Sequence, residues 1–112
     1  MITAKDKRQS KRNKILKAVW ITIKDHPFRL HDISNEGIGI LLDAKGPGFL
    51  IGERIEKIPI PLQSGTVQLS GLVSHISVST HGTVCGIRFL FDSEEFLSLV
   101  QFKKECCDLK RQ

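Results

Sequence analysis

Apolar residues recur at every second position through most of this 112-residue chain, and switch to every third or fourth position only near its end. Period two is the signature of strands with one buried face, and period 3.6 that of an amphipathic helix. Residues 15–23 (ILKAVWITI) read as a first strand, and Asp25-His26-Pro27 as a turn, because proline fixes φ and pushes its predecessor out of the helical region. A second strand over 28–34 sets Phe28, Leu30, Asp32 and Ser34 on one parity and Arg29, His31 and Ile33 on the other, an imperfect alternation. Asn35-Glu36-Gly37 then supplies a reversal, with a glycine available for positive φ, and residues 38–42 return as the partner of a hairpin.

Lys45-Gly46-Pro47-Gly48 has no periodicity and reads as a loop. Residues 54–62 (RIEKIPIPL) are strand-like, but Pro59 and Pro61 cannot donate to a ladder and place this strand at an edge. Residues 66–78 form a long strand around Gly71, where a bulge or bend would let a sheet curl. His81-Gly82 makes a turn before the last strand, 83–91 (TVCGIRFLF). A helix is expected over about 92–110, capped by Asp92 or Ser93, with Glu94 and Glu95 at its positive end. Phe96, Leu99, Val100 and Cys107 share its apolar face, and Lys103, Lys104, Lys110 and Arg111 crowd its C-terminal end. The expectation is a mainly β fold: a six-stranded antiparallel barrel closed by one C-terminal helix.

The net charge of +5 belongs to one end of the chain. Residues 1–17 hold seven basic residues (Lys5, Lys7, Arg8, Lys11, Arg12, Lys14, Lys17) against Asp6, whereas the remainder holds ten basic and eleven acidic. A basic arm over 1–14 followed by a near-neutral domain over 15–112 points to an anion met by the arm, and argues against a nucleic-acid track spread over the barrel. The scarcity of aromatics, with one Trp and no Tyr, argues the same way. No run of eighteen apolar residues and no signal-peptide pattern occurs, so a cytoplasmic protein without a membrane span is expected. Cys85, Cys106 and Cys107 form neither an even framework nor a C-x-x-C pair and read as reduced thiols.

Two runs carry candidate chemistry. Arg8-Gln9-Ser10-Lys11-Arg12 offers two guanidinium groups four residues apart, able to fork onto phosphate oxygens or the O6/N7 edge of guanine, or to lie flat on a base. Asp32-Ile33-Ser34-Asn35-Glu36-Gly37 offers a carboxylate and a hydroxyl at i and i+2 of a strand, followed by glycine. An ionised Asp only accepts, and so matches the adjacent N1–H and N2–H donors of guanine. Gly37 and Gly39 share a parity, and without side chains there a flat base can lie against backbone. Together the runs describe a site for a guanine nucleotide carrying phosphates. Turn chemistry is the alternative for the second run, with Asp32 and Ser34 satisfying hairpin backbone and Gly37 serving the turn.

A basic R-x-x-x-R arm, a strand, D-x-S-x-x-G at a hairpin, and further strands ending in Gly86-Ile87-Arg88-Phe89 before a helix together resemble the PilZ domain, a bacterial receptor module for cyclic di-GMP. The resemblance covers nearly the whole chain and implies a split six-stranded barrel. It implies that Arg8 and Arg12 grip phosphates and guanine faces, that Asp32 and Ser34 read a guanine edge, and that Gly37 is the motif glycine. Lys7 and Lys11 stand where other members often carry basic residues. Where many members have a stacking Trp, this chain has His75; an exposed strand residue is the alternative for His75.

The implied function is binding of a second messenger that regulates motility or biofilm formation, relayed to an unidentified protein partner by ordering of the arm. The competing reading is a PilZ-fold interaction adaptor with weak or no nucleotide binding. Enzyme chemistry finds no support. His26, His31, His75 and His81 form no H-x-x-x-H pair, and there is no P-loop or nucleophile elbow, so neither catalytic residues nor a metal or cofactor are expected.

Overall fold

The computed structural model describes residues 13–14, 18–90 and 93–107. Its elements are β1 (Asn13–Lys14), β2 (Trp20–Ile23), β3 (His26–Ile33), β4 (Gly37–Leu41), β5 (Arg54–Leu62), β6 (Gly65–Ser79), β7 (Gly82–Leu90) and α1 (Ser93–Cys107). All strand pairings are antiparallel, in the order β1-β3-β4-β7-β6-β5, with β2 also paired to β3. β2 comes back against β5, so the six longer strands make a nearly closed barrel and α1 packs beside β5. The short β1 is an addition to the edge of β3.

The barrel interior follows from alternation. Ile21, Ile23, Phe28, Leu30, Ile38, Ile40, Ile58, Ile60, Leu69, Cys85 and Ile87 are all buried, and Leu99, Phe102 and Cys106 close the stack from α1. The expected helix face included Phe96 and Val100, which are half-buried; the centre of the buried stripe runs instead through 99, 102 and 106. β5 lies at the end of the hydrogen-bonded path, and Pro59 and Pro61 sit within it, as expected for an edge.

Two expectations are corrected. The β2–β3 turn is not at Pro27, which pairs with Thr22 inside the ladder; it is Lys24-Asp25, with φ of 56° and 62°. Positive φ at both central residues gives the hairpin turn whose twist matches its strands. The lysine is held there from outside the hairpin, because Lys24 Nζ donates to the Gly48 carbonyl at 2.7 Å, pairs with Glu53 at 2.6 Å and sits 4.4 Å from the centre of the Phe49 ring. The second correction concerns curvature. Gly71 adds no extra residue to β6, but its partner Ile55 opens a register shift on β5, which falls between Ile55 and Ile58 opposite Gly71 and Leu69; the other shifts fall between Leu30 and Asp32 and between Val73 and His75. Glycine at 71 serves close packing instead, since a Cβ there would meet Ile87 Cγ2 at 2.7 Å and the Arg88 carbonyl at 2.9 Å.

Candidate nucleotide-binding face

The register shift in β3 turns Asp32 outward. Leu30 pairs with Ile40 and Asp32 with Gly39, so His31 is one residue too many on its strand. Had alternation continued, Asp32 would share the inward parity of Phe28 and Leu30; after the bulge it is Ile33 that is fully buried. β6 does the same with Ser74, between Val73, which pairs with Ile87, and His75, which pairs with Gly86. Gly39 and Gly86 are themselves partners across β4 and β7. One row therefore runs Asp32, Gly39, Gly86, His75 across four strands.

Both outer members of this row lean over the glycine beside them. A Cβ on Gly39 would meet the Asp32 carboxylate oxygens at 2.6 and 2.9 Å, and a Cβ on Gly86 would meet His75 Cε1 at 2.1 Å. The bulges also bring consecutive residues to the same side, where they touch. His31 Nδ1 lies 2.7 Å from Asp32 Oδ2, and Ser74 Oγ lies 3.2 Å from His75 Nδ1. The Ser74 hydroxyl donates to the Gly86 carbonyl at 3.2 Å. Arg88, exposed, follows Gly86 by two residues on β7, and Arg29, also exposed, lies on β3 opposite Leu41. The row thus combines an outward carboxylate, an exposed imidazole, a floor of two glycines and nearby cations, which suits a flat polar base with an attached anion.

The remaining residues of the hairpin motif brace it. Ser34 is 2% exposed; its hydroxyl accepts the Glu36 N–H at 3.1 Å, and its own N–H donates to the Gly37 carbonyl at 2.9 Å. That is a turn role, so in this structure Ser34 does not open onto the face with Asp32. Gly37 has no positive φ. It belongs to β4, and a Cβ there would lie 2.0 Å from the Ile87 carbonyl oxygen, so its lack of a side chain answers to the neighbouring backbone. The Glu36 carbonyl accepts the Phe89 N–H at 2.9 Å, and Asn35 Oδ1 lies 3.3 Å from Lys103 Nζ on α1. Lys7, Arg8, Lys11 and Arg12 lie outside the described residues. The chain enters the described structure next to the motif, with Asn13 paired to Ile33 and Lys14 to Asp32.

His31 and Gly86 are the residues of this face that pattern reading undervalued. His31 looks like an exposed polar residue flanking a strand, and only the break in alternation at 31–32 hints at a bulge that would turn it beside Asp32. Gly86 becomes a partner of Gly39 only once β4 and β7 are paired.

The sequence profile described as "PilZ domain" matches residues 6–102. The chain belongs to the PilZ domain family. Among solved structures it is similar to the PilZ domain with c-di-GMP of YcgR from Escherichia coli, at a TM-score of 0.70 and 21% identity over 90% of this chain and 92% of that one. It is also similar to YcgR of Escherichia coli in complex with c-di-GMP (TM-score 0.66, 23% identity, 84% of this chain and 43% of that one). A third likeness is to the Bacillus subtilis inhibitor of motility MotI/DgrA (TM-score 0.64, 20% identity, 89% of this chain and 50% of that one). The chain thus spans about half or less of the two longer proteins and nearly all of the isolated PilZ domain. A search among curated proteins returned no match. As in the solved PilZ domains, the scaffold is a nearly closed barrel with one C-terminal helix. No helix among the described residues of this PilZ domain is long and apolar enough to cross a membrane.

Proposed function

We propose that this PilZ domain is a receptor for cyclic di-GMP. The observation that carries the reading is the outward carboxylate of Asp32, turned out of the core by a bulge and set over Gly39 in one row with Gly86 and His75. A guanine edge placed there would give N1–H and N2–H to the carboxylate, with the base lying over the glycine floor and the His75 ring beside it. Gly37 and Ser34 hold the hairpin that presents Asp32. The PilZ structures solved with c-di-GMP share this fold and support the choice of ligand.

The phosphates fall to the arm. Arg12 is bonded to Asn13, which pairs with Ile33 beside Asp32, and five residues of chain tether Arg8 within about 18 Å of Asn13. Arg8 and Arg12 would fork onto the two phosphodiesters or stack on the guanines, with Lys7 and Lys11 adding charge. Settling of the arm onto the barrel would then create the surface that a downstream protein reads.

Calorimetry with cyclic di-GMP tests the reading directly. Binding should be micromolar or tighter, about −8 kcal/mol, and GMP, lacking the second base and phosphodiester, should bind far more weakly. No heat and no chemical-shift change at ~100 μM ligand, well above that range, would leave the interaction-adaptor reading in its place.

A further inference from the structure

We propose that His31 is the positioning residue that fixes the Asp32 carboxylate for guanine selection; the inference rests on the receptor reading of the same face. In a regular strand consecutive side chains point to opposite sides and cannot touch. The bulge between Leu30 and Asp32 removes that restriction, so that His31 Nδ1 stands 2.7 Å from Asp32 Oδ2, with both side chains largely covered, at 26% and 17% exposure. An ionised carboxylate cannot donate, so the hydrogen in this bond is carried by His31 Nδ1, and the imidazole is held in its Nδ1–H form.

The ring has a second neighbour. His81, from the turn between β6 and β7, places its ring 5.5 Å from that of His31, centre to centre. Gly39 completes the arrangement by leaving space for the carboxylate, whose Oδ2 would be 2.6 Å from a Cβ at that position.

Orientation matters because guanine presents two donors in one plane, and a carboxylate meets both only when its own plane is aligned with them. Adenine presents no such pair, so a carboxylate free to rotate loses guanine affinity without losing adenine affinity. His31 thereby acts on selectivity through Asp32, with no contact to the ligand of its own.

The test compares cyclic di-GMP with cyclic di-AMP by calorimetry in the full chain and in His31→Leu, His31→Asn and Asp32→Ala. His31→Leu should lower the guanine preference by about tenfold or more, since an aligned donor pair is lost. His31→Asn restores a side-chain N–H near the place of Nδ1 and should retain the preference within about threefold, a rescue that a purely structural role would not predict. Asp32→Ala should abolish the preference. If Asp32→Ala abolishes it and His31→Leu keeps it, the His31 inference is overturned while the receptor reading stands. If the wild type binds neither nucleotide, both fall. Should His31→Leu not fold, the ring 15N shifts of His31 in the wild type decide the matter: an Nδ1–H tautomer that is lost in Asp32→Ala supports the inference, and an Nε2–H tautomer overturns it.

Discussion

The carbonyl oxygen of Ile87 lies 2.0 Å from where a Cβ on Gly37 would be, closer than any side-chain carbon can approach. Gly37 pairs with Arg88 at the start of β4, so the glycine lets β4 and β7 come together at the end of the motif hairpin. Gly37→Ala would force two hydrogen-bonded strands apart, and overpacking of this kind costs about 1–3 kcal/mol or more. Thermal unfolding of the variant should show a clearly lowered Tm without ligand. An unchanged Tm would mean that the strands separate easily and that Gly37 serves some other purpose.

Gly86→Ala should behave differently, although its Cβ would also clash. The obstructing atoms belong to the His75 ring, an exposed side chain that can swing away, so the fold should lose little stability. The swing would displace the imidazole from the row and fill half of the glycine floor. Calorimetry on Gly86→Ala should therefore show weaker cyclic di-GMP binding by about tenfold, or 1.4 kcal/mol, with Tm close to wild type. Loss of stability without loss of binding would remove Gly86 and His75 from the site.

How far the sequence anticipated this face depends on what alternation can report. Strand positions and the inward parity of Ile38, Ile40, Cys85 and Ile87 are local properties, and they emerge directly from period two. A bulge adds one residue without changing composition, so the reversal of parity at His31 and Asp32 showed only as an imperfect alternation. The turn at Lys24-Asp25 carries neither glycine nor asparagine, and is held by contacts from residues 48, 49 and 53 that no local pattern can contain. The roles of Ser34 and Gly37 were ambiguous for a similar reason. A serine and a glycine near a hairpin suit either a ligand or a turn, and the choice rests on the burial of Ser34 and on the approach of the Ile87 carbonyl to Gly37.

Beneath the outer row, Cys85 pairs with Ile40 and is fully buried, and burial pushes its thiol up to about 11, with the Glu53 charge adding to the effect and Lys24 opposing it. A folded value above the ordinary 9.0 means that the native state prefers the protonated thiol. Its contribution is therefore fully present below pH 9 and is lost as pH rises from 9 toward 11. Iodoacetamide at pH 8 should leave Cys85 unmodified in the native protein and alkylate it after unfolding in urea, as read by peptide mass spectrometry. Rapid native-state alkylation at residue 85 would show that the barrel opens readily at β7.

Ordering of the arm sets a backbone entropy cost against the gain from phosphate contacts. Fixing the backbone of the five residues 8–12 costs roughly 5–10 kcal/mol at ~1–2 per residue. Guanidinium groups with no anion to meet recover little of that, whereas charge-assisted hydrogen bonds to phosphodiesters offset it. Arg8→Ala and Arg12→Ala should each weaken cyclic di-GMP binding by about 2 kcal/mol or more, with little change in Tm. Amide exchange over residues 5–14 should slow when cyclic di-GMP is added to the wild type and remain unchanged in the Arg12 variant. Equal exchange with and without ligand, in a protein shown separately to bind it, would exclude arm ordering as the relay. Attention would then pass to the contact between Asn35 and Lys103, which links the motif hairpin to α1.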